Sequence, residues 1–471
     1  MLDLSPILGK QVTFPLLCCF SFLLYKDLSS KKKPRVIEQQ RPDEEKWEPI
    51  ALMANEVQPK EMTWDQIKPF PYQPFKAGEY RLNMGVKAIP TQDWLVLDNT
   101  YKDRIEAKWE IIRDNYQDVI FYLDPAMESQ LASGLEKPVE NDDKLHQETL
   151  ITDRDVAACE TALCELYDHV IGFLVRRFPQ HFQVLLSPSQ DTPGVLYNKI
   201  MDEYHPIEPR KYIELPEAQI SFLNYRCKEA DVIPSEAALS GARRDNVGYR
   251  CLVSCTRTRR AHELILALTR LVEEDLLLLL PNDSSQFNNE YVLMVGVFAF
   301  AAGFNPRERF LKPLTLVHGP VPDYKVKLQA QMNRFFQMHK MGKVVLRLNF
   351  SFQTHNKMYV TDENKGTASE QISAKTLEQL RGGRDLYYRS ERQCLIKLGP
   401  QSKAMCFSIK SYLWNMADQF LTDDFYSQKA VLQDMYDAVA GMQDNIGQYK
   451  RRPEWGPALL DLLQRKMHGN I

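Results

Sequence analysis

Three segments in the C-terminal half of this 471-residue chain alternate apolar and polar side chains with a period of two. They cover residues 344–352, 386–398 and 404–413. Because successive side chains of a β-strand point to opposite faces of a sheet, the pattern predicts three strands. Gly-Pro-Gln-Ser at residues 399–402 is short enough to join the last two as an antiparallel hairpin. A continuous apolar run at residues 290–302 is typical of a fourth strand that is covered on both faces.

Apolar residues at helical spacing precede these strands. The spacing predicts helices around residues 101–112 and 158–174, and a third from residue 261 to residue 275. From about residue 423 the chain returns to a helical pattern. Helices gathered before strands predict an α+β fold, in which helices pack around an antiparallel sheet.

The N-terminus carries an apolar run at residues 12–25, followed by a Lys-rich stretch. As an α-helix the run would be about 21 Å long, short of a hydrocarbon core of about 30 Å. Lysines stand where a secretory signal would have its cleavage site, so a short membrane anchor is the better interpretation. The positive charge after the run then predicts a cytosolic catalytic body, and without an anchor the protein would be cytoplasmic.

These patterns divide the chain into four predicted parts. They are a candidate membrane anchor at residues 1–28, a polar linker at residues 29–60, one domain at residues 61–415 and a C-terminal helical extension at residues 416–471. The linker is charged and has little apolar surface to bury.

Composition and motifs exclude several classes of function. A net charge of -3 opposes a nucleic-acid partner, because domains that bind nucleic acid are usually strongly basic. The nine cysteines are scattered without a CxxC pair, which is typical of reduced thiols. The sequence contains no HExxH motif, no GxGxxG after a strand, no Walker A loop and no GxSxG elbow.

His318 lies between a basic segment and a turn punctuated by prolines, within residues 304–324. Pro320 and Pro322 fix their own φ angles and restrict the residues before them, so the backbone after His318 is stiff. A stiff support suits an imidazole that ligates a metal. The alternative is a partly buried loop histidine that is held by hydrogen bonds.

Charged residues on the predicted strand at residues 386–398 form a second candidate site. The period of two places Arg389, Glu391 and Gln393 on one face of the strand and Arg392 on the other. Arg389 would hold Glu391 ionised, so that the carboxylate could accept hydrogen bonds from a cationic amine. The alternative is a solvated edge strand whose ion pair contributes about 0–1 kcal/mol.

The neighbouring predicted strand at residues 344–352 adds two polar side chains, Arg347 and Asn349. Both lie on the polar face of that strand, and both could face the same cavity as Glu391. A surface strand does not need so many polar groups, which favours a site.

At these residues the sequence resembles the haem-dependent oxidative N-demethylases, and especially the fungal HRQ-type proteins that often belong to natural-product gene clusters. Six pieces occur in the family's order and cover most of residues 70–415. The sequence departs from the family at residues 300–304, which read FAAGF in place of an FPSGW-like run, and at Phe350, where the family tends to have Trp. The matching pieces are MGVKAI from Met84, DWLVLDNTY from Asp93, VEEDLLLL from Val272, LVHGPVPDY from Leu316, LRLNFSF from Leu346 and YRSERQCL from Tyr388.

The resemblance implies a PAS-like antiparallel sheet that holds haem b. It also implies an enzyme that uses oxygen and electrons to remove a methyl group from an amine as formaldehyde. Carried over by position, His318 is the candidate axial ligand of the iron, and Glu391 and Arg389 are the candidate catalytic residues. The candidate haem-binding side chains are His318, Arg347, Asn349, Arg392 and Gln393.

The same resemblance bears on partners and substrate. Flavin and iron–sulfur modules have no counterpart in this chain, which implies a separate electron-donating reductase. The departures from the family enlarge or depolarise the pocket, so the family's small amines are not carried over. The expected substrate is an amine-bearing small molecule, with a secondary metabolite as one candidate. Two alternatives stay open: a non-catalytic PAS-like module that binds haem or another small molecule, and a scaffold that has lost its cofactor.

Overall fold

The computed structural model describes residues 57–69, 83–127, 153–185, 194–215, 233, 253–282 and 290–469. Ten strands lie within these residues and form two antiparallel sheets. The strands are β1 (Lys87–Ile89), β2 (Ile120–Phe121), β3 (Phe182–Leu185), β4 (Val195–Asn198), β5 (Glu203–Pro206), β6 (Asp275–Pro281), β7 (Tyr291–Val297), β8 (Val344–Gln353), β9 (Tyr387–Lys397) and β10 (Met405–Asn415). The large sheet runs in the order β1-β8-β9-β10-β6-β7-β2, and the small sheet in the order β3-β4-β5.

Helices surround the large sheet, so the α+β prediction is confirmed. They are α1 (Tyr101–Val119), α2 (Asp153–Arg177), α3 (Pro209–Glu214), α4 (Thr256–Leu271), α5 (Leu314–Val317), α6 (Tyr324–Lys327), α7 (Gln329–Met338), α8 (Lys429–Ala440), α9 (Asp444–Tyr449) and α10 (Arg452–Met467). Among the described residues, no helix has the length and apolar character that crossing a bilayer requires. The apolar run at residues 12–25 lies outside the described residues.

The three alternating segments form the adjacent strands β8, β9 and β10, as predicted. The register pairs Lys397 of β9 with Met405 of β10, and the Leu398 amide donates to the Ala404 carbonyl at 2.8 Å. These contacts close the hairpin that was predicted at residues 399–402. β1 pairs with β8 only as far as Leu346, so the outer edge of β8 beyond that residue has no strand beside it in the described part of the chain.

The segment after α4 differs from the sequence prediction. The predicted helix continued to Asp275, but α4 ends at Leu271, and Val272 already has extended φ and ψ angles of -136° and 146°. β6 then begins at Asp275 and carries a run of buried leucines between β10 and β7. A continuous apolar run fits a buried helix and a central strand equally well, so the spacing alone gave a wrong boundary.

β7 is shorter than the apolar run from which it was predicted. The strand ends at Val297, and the chain then turns away from the sheet. The buried Asp275 carboxylate supports this turn by accepting the amides of Ala299 at 3.0 Å and Phe300 at 2.8 Å. Asp275 therefore positions the FAAGF segment.

The C-terminal helices share an apolar core with β8 and β9. Phe352, Tyr388 and Trp455 are all buried in one cluster, and the ring centroids of Phe352 and Trp455 lie 4.9 Å apart. Burying one such large apolar side chain contributes about 1.5–3 kcal/mol. Helices α8 and α10, which belong to the predicted extension, therefore pack against the strands that carry the candidate site.

Candidate functional site

His318 follows the last residue of α5, and its ring is held from within the same turn. Its Nδ1 lies 2.9 Å from the Leu314 carbonyl oxygen. Because a carbonyl oxygen only accepts hydrogen bonds, Nδ1 carries the proton and Nε2 carries the lone pair. Within the described part of the chain, Nε2 has no hydrogen-bond partner. A carbonyl behind Nδ1 that leaves Nε2 open is a common arrangement of metal-ligating histidines.

The surroundings of His318 keep its imidazole neutral. The ring stacks on Tyr324 with centroids 4.7 Å apart and planes 7° from parallel. Burial lowers the pKa of His318 to about 4, against the smaller effect of the Leu314 carbonyl, and the nearby cations Arg347 and Arg309 lower this pKa further. A neutral imidazole is the form that binds a metal.

The polar side chains of β8 and β9 form one hydrogen-bonded cluster. The register places Arg347 opposite Gln393 and Asn349 opposite Glu391. Arg347 Nη1 donates to Gln393 Oε1 at 2.6 Å, and Asn349 Nδ2 donates to Glu391 Oε2 at 3.1 Å. Arg389 Nε also approaches Glu391, at 3.4 Å from Oε1. The structure thus brings together Arg347, Asn349, Arg389, Glu391 and Gln393.

Both carboxylate oxygens of Glu391 already accept hydrogen bonds from the chain. Oε2 accepts from Asn349 and, at 2.8 Å, from Gln393 Nε2, while Oε1 faces Arg389. The Glu391 side chain is only 14% exposed, so these donors, more than water, offset its negative charge. A cationic amine would have to compete with Arg389 for this carboxylate.

Arg389 lies behind the site rather than in it. Its side chain is fully buried, and burial lowers its pKa. Nη1 donates to the Met358 carbonyl at 3.0 Å, and Nη2 donates to the Phe300 carbonyl. All three guanidinium nitrogens therefore bind the chain itself, which makes Arg389 a residue that positions Glu391 and the FAAGF segment.

Arg392 is not brought together with the other candidate residues. Its guanidinium donates to the carbonyls of Trp94, at 2.8 Å, and Asp93. The reason is the alternation of side chains along β9, which turns Arg392 to the face opposite Glu391. Arg392 therefore holds the segment at Asp93 and Trp94 and does not face the cluster around Glu391.

Lys450, between α9 and α10, is a site residue that the sequence analysis missed. Its Nζ donates to Asn349 Oδ1 at 3.1 Å and to the Phe350 carbonyl at 2.5 Å. Burial lowers the pKa of Lys450 to about 8, Arg347 lowers it further, and Glu391 opposes the change. No periodicity or motif marks this lysine, because its contact depends on how the C-terminal helices dock.

Two buried polar atoms near this cluster have no hydrogen-bond partner among the described residues. One is Nε of Arg309, whose charge reaches His318, and the other is Oγ of Ser411, which pairs in register with Glu391. Arg309, Arg347 and Lys450 give this region an excess of positive charge. Arg309 Nε and Ser411 Oγ add hydrogen-bond donors that have no acceptor among the described residues. Such a donor set fits a ligand with anionic or acceptor groups.

Two cavities lie elsewhere among the described residues, and His318 lines neither. One, of about 350 Å³, is polar and includes His355, Glu363 and Glu454. The other, of about 380 Å³, lies beside α7 and is called the α7 groove below. It is lined by Ala88, Ile89, Phe335, Met338, His339, Lys340, Lys343, Val344 and Val345. His318, Asn349 and Lys450 are each partly exposed, so a ligand can reach them from solvent.

The sheet and the site together define an α+β protein in which a neutral histidine with an open Nε2 stands beside a cationic strand face. Its donor set fits haem, because a histidine nitrogen can bind the iron and cationic side chains can pair with the two carboxylates. The sequence model of the haem-dependent oxidative N-demethylase alpha-subunit-like family matches residues 85–232 and 243–460. The chain belongs to this family, as the resemblance implied. No curated protein matches it.

Proposed function

We propose that the chain is a haem-dependent oxidoreductase that removes a methyl group from the amine nitrogen of a small molecule, and that His318 Nε2 would bind the iron of a b-type haem. The observation that carries the proposal is the hydrogen bond from His318 Nδ1 to the Leu314 carbonyl. This bond fixes the tautomer and leaves Nε2 as the ligating atom. The low pKa of the imidazole supports the same assignment.

Arg309 and Arg347 are the proposed partners of the haem carboxylates. Both carry fixed positive charge near His318, and Nε of Arg309 is buried without a partner among the described residues. Arg347 donates a hydrogen bond from Nη1 to Gln393. The planar guanidinium group presents several N–H donors in a geometry that suits a carboxylate. Lys450 supplies a third cation at the same face.

The order of the central strands supports a PAS-like haem domain. Five strands consecutive in sequence, β6 to β10, lie side by side in the order β7-β6-β10-β9-β8. Helices α5, α6 and α7 are inserted between the second and third of them and carry His318 next to the sheet. An antiparallel sheet beside the helices that carry His318 agrees with the PAS-like sheet that the resemblance implies.

When bound, haem would supply the oxygen chemistry that converts the N-methyl amine, O₂, two electrons and two protons into the demethylated amine, formaldehyde and water. The chain's own residues would orient the reactants. Glu391, held by Asn349, Gln393 and Arg389, would place a carboxylate near the amine. Lys450 would bind an anionic group of the substrate or hold a proton at Nζ. The electrons would come from a separate reductase.

A haem-binding module without turnover is the second candidate, and one observation favours it. Both oxygens of Glu391 are already satisfied by donors of the chain, so this carboxylate does not offer an unused acceptor to an amine. In that case His318 would bind haem and the site would serve sensing or storage.

The test is the absorption spectrum of the purified protein loaded with haem. We expect a Soret band that is lost or strongly shifted in His318→Gly and restored by added imidazole, which replaces the missing ligand. Formaldehyde release from a panel of N-methyl amines, with a reductase system and O₂, then separates the enzyme from the binding module.

His339→Gly is the matched control. This histidine belongs to the α7 groove, where its Nε2 donates to the Lys343 carbonyl at 2.8 Å. We expect its Soret band to equal that of the wild type. A His318→Gly protein with an unchanged spectrum would contradict the proposed ligand.

A further inference from the structure

Residues 324–343 form a locally basic surface on a chain that is acidic overall. They contain α6, α7 and the turn before β8, and we call them the α6–α7 surface. The segment has five lysines and arginines and no aspartate or glutamate, whereas the whole chain has a net charge of -3. Asp323, immediately before the segment, forms an ion pair with Lys327 at 2.8 Å, so the local excess of positive charge is smaller than five. The cations are Lys325, Lys327, Arg334, Lys340 and Lys343, all of them exposed.

Large apolar side chains stand among these cations. Val326 is 89% exposed, Met338 is 73% exposed and Met341 is 43% exposed. The α7 groove opens beside them, with Lys340 and Lys343 among its lining residues. Exposed apolar side chains that include methionine are typical of a protein interface.

The α6–α7 surface lies directly against the candidate iron ligand. Tyr324 is the first residue of α6, and its buried ring stacks on His318. At the start of α7, Gln329 contacts Glu290 at 3.2 Å, and the charge of Glu290 reaches His318. A partner that contacts α6 would therefore approach the imidazole through Tyr324.

We propose that the α6–α7 surface is the docking site of an acidic electron-carrier protein. This inference rests on the proposed function, because the electrons are destined for iron held by His318. In each encounter one electron would leave the reduced one-electron centre of the carrier, which is oxidised, and would reduce ferric haem iron held by His318 to the ferrous state. Charge complementarity would steer the encounter, and Val326 and Met338 would anchor it.

A second class of partner, an anionic membrane, would also meet lysines and exposed apolar groups. The contact between Tyr324 and His318 favours the electron carrier, because a membrane-binding surface has no need to lie behind a metal ligand.

The test uses a plant-type [2Fe–2S] ferredoxin, a small acidic protein, and the haem-loaded full chain. Binding is measured by calorimetry, and reduction of the ferric haem by reduced ferredoxin is followed by stopped-flow absorption. The variant is Lys325→Glu/Arg334→Glu/Lys340→Glu. We expect at least a tenfold loss of affinity and of the second-order reduction rate, with a weaker dependence on salt between about 20 mM and about 300 mM. Reduction by dithionite, which needs no docking, should be unchanged.

The matched control is Lys68→Glu/Lys102→Glu/Lys429→Glu, which makes the same change in charge at exposed lysines outside the surface. We expect it to bind and accept electrons as the wild type does. Equal losses in the two triple variants, or no loss in either, would overturn the docking site. Cosedimentation with phosphatidylserine vesicles that only the first variant loses, with ferredoxin reduction intact, would assign the surface to membranes instead.

Calorimetry separates this proposal from the proposed function. A chain without a Soret band that still binds ferredoxin through these lysines contradicts the haem assignment alone. A haem-loaded chain that fails to bind ferredoxin at low salt contradicts the docking site alone.

Discussion

The Lys450 ammonium donates to Asn349 Oδ1 at 3.1 Å and so joins the C-terminal helices to the polar face of β8 and β9. The two residues are 101 positions apart in sequence. The same lysine lies over the Phe350 ring, 5.2 Å from its centroid. A residue from the predicted extension is therefore part of the candidate site.

The low pKa of Lys450 predicts a measurable dependence of stability on pH. Its pKa falls from 10.5 in the unfolded chain to about 8 in the folded one, so between these values the unfolded state binds more protons. The free energy of unfolding should therefore gain a favourable contribution from Lys450 as pH rises from about 8 to about 10.5. In Lys450→Met this rise should be absent, as measured by urea unfolding at each pH. Lys429→Met, at an exposed lysine, should retain the wild-type profile.

Arg347 and Arg392 form a matched pair, because neighbouring strands carry them on opposite faces. Arg347→Met should weaken haem retention at least tenfold and change stability little, since it removes a proposed carboxylate partner. Arg392→Met should cost about 1.5–3 kcal/mol of stability, because it removes charged donors from the carbonyls of Asp93 and Trp94. Haem titration and urea unfolding of both variants would show the roles exchanged if our assignment is wrong.

Asp275 supports the turn that carries Phe300. Its carboxylate is fully buried, accepts two amides and lies 3.7 Å from the buried Lys108. Asp275→Ala should cost about 3–5 kcal/mol in the free energy of unfolding, because the Lys108 charge stays buried without its partner. The exposed Asp362→Ala should cost less than about 0.5 kcal/mol by the same measurement. Similar values for the two variants would show that the buried pair does not stabilise this turn.

Trp455 tests whether the C-terminal helices and the sheet unfold together. It packs on Phe352 and donates Nε1–H to the Lys450 carbonyl at 3.0 Å. Trp455→Ala should lower the free energy of unfolding of the sheet and the C-terminal helices together by about 3–5 kcal/mol. Trp455→Phe keeps most of the packing and should lower it by about 1–2 kcal/mol. Circular dichroism should report one cooperative transition. A separate transition for helices α8 to α10, with the sheet unaffected, would show that the extension is an independent unit.

The alternation of apolar and polar side chains was sufficient to predict β8, β9 and β10. A strand has this period of two because of its own backbone geometry, so the pattern does not depend on its neighbours. It also predicted that Arg389, Glu391 and Gln393 share a face, and the register of the hairpin follows from the short turn. The period also placed Arg392 on the other face. The resemblance had included Arg392 among the haem-binding residues. In the structure Arg392 lies on the face opposite Glu391, as the period of two predicts.

The remaining features depend on contacts that are distant in sequence. The leucine run of β6 has no period of its own, so only its place between β10 and β7 defines it as a strand. Lys450 enters the site because Trp455 and its neighbours pack on β8. The tautomer of His318 depends on the position of one carbonyl oxygen, and a sequence pattern does not specify such a position.

β1 leaves the outer edge of β8 without a neighbouring strand beyond Leu346, among the described residues. A bare strand edge presents amides and carbonyls on which a foreign strand can continue the sheet, which is a route to aggregation. Lys450 donates to the Phe350 carbonyl of β8 and places an ammonium group at this strand, which an incoming strand would have to displace. The lysine that completes the candidate site would thereby also keep this molecule from polymerising along its sheet.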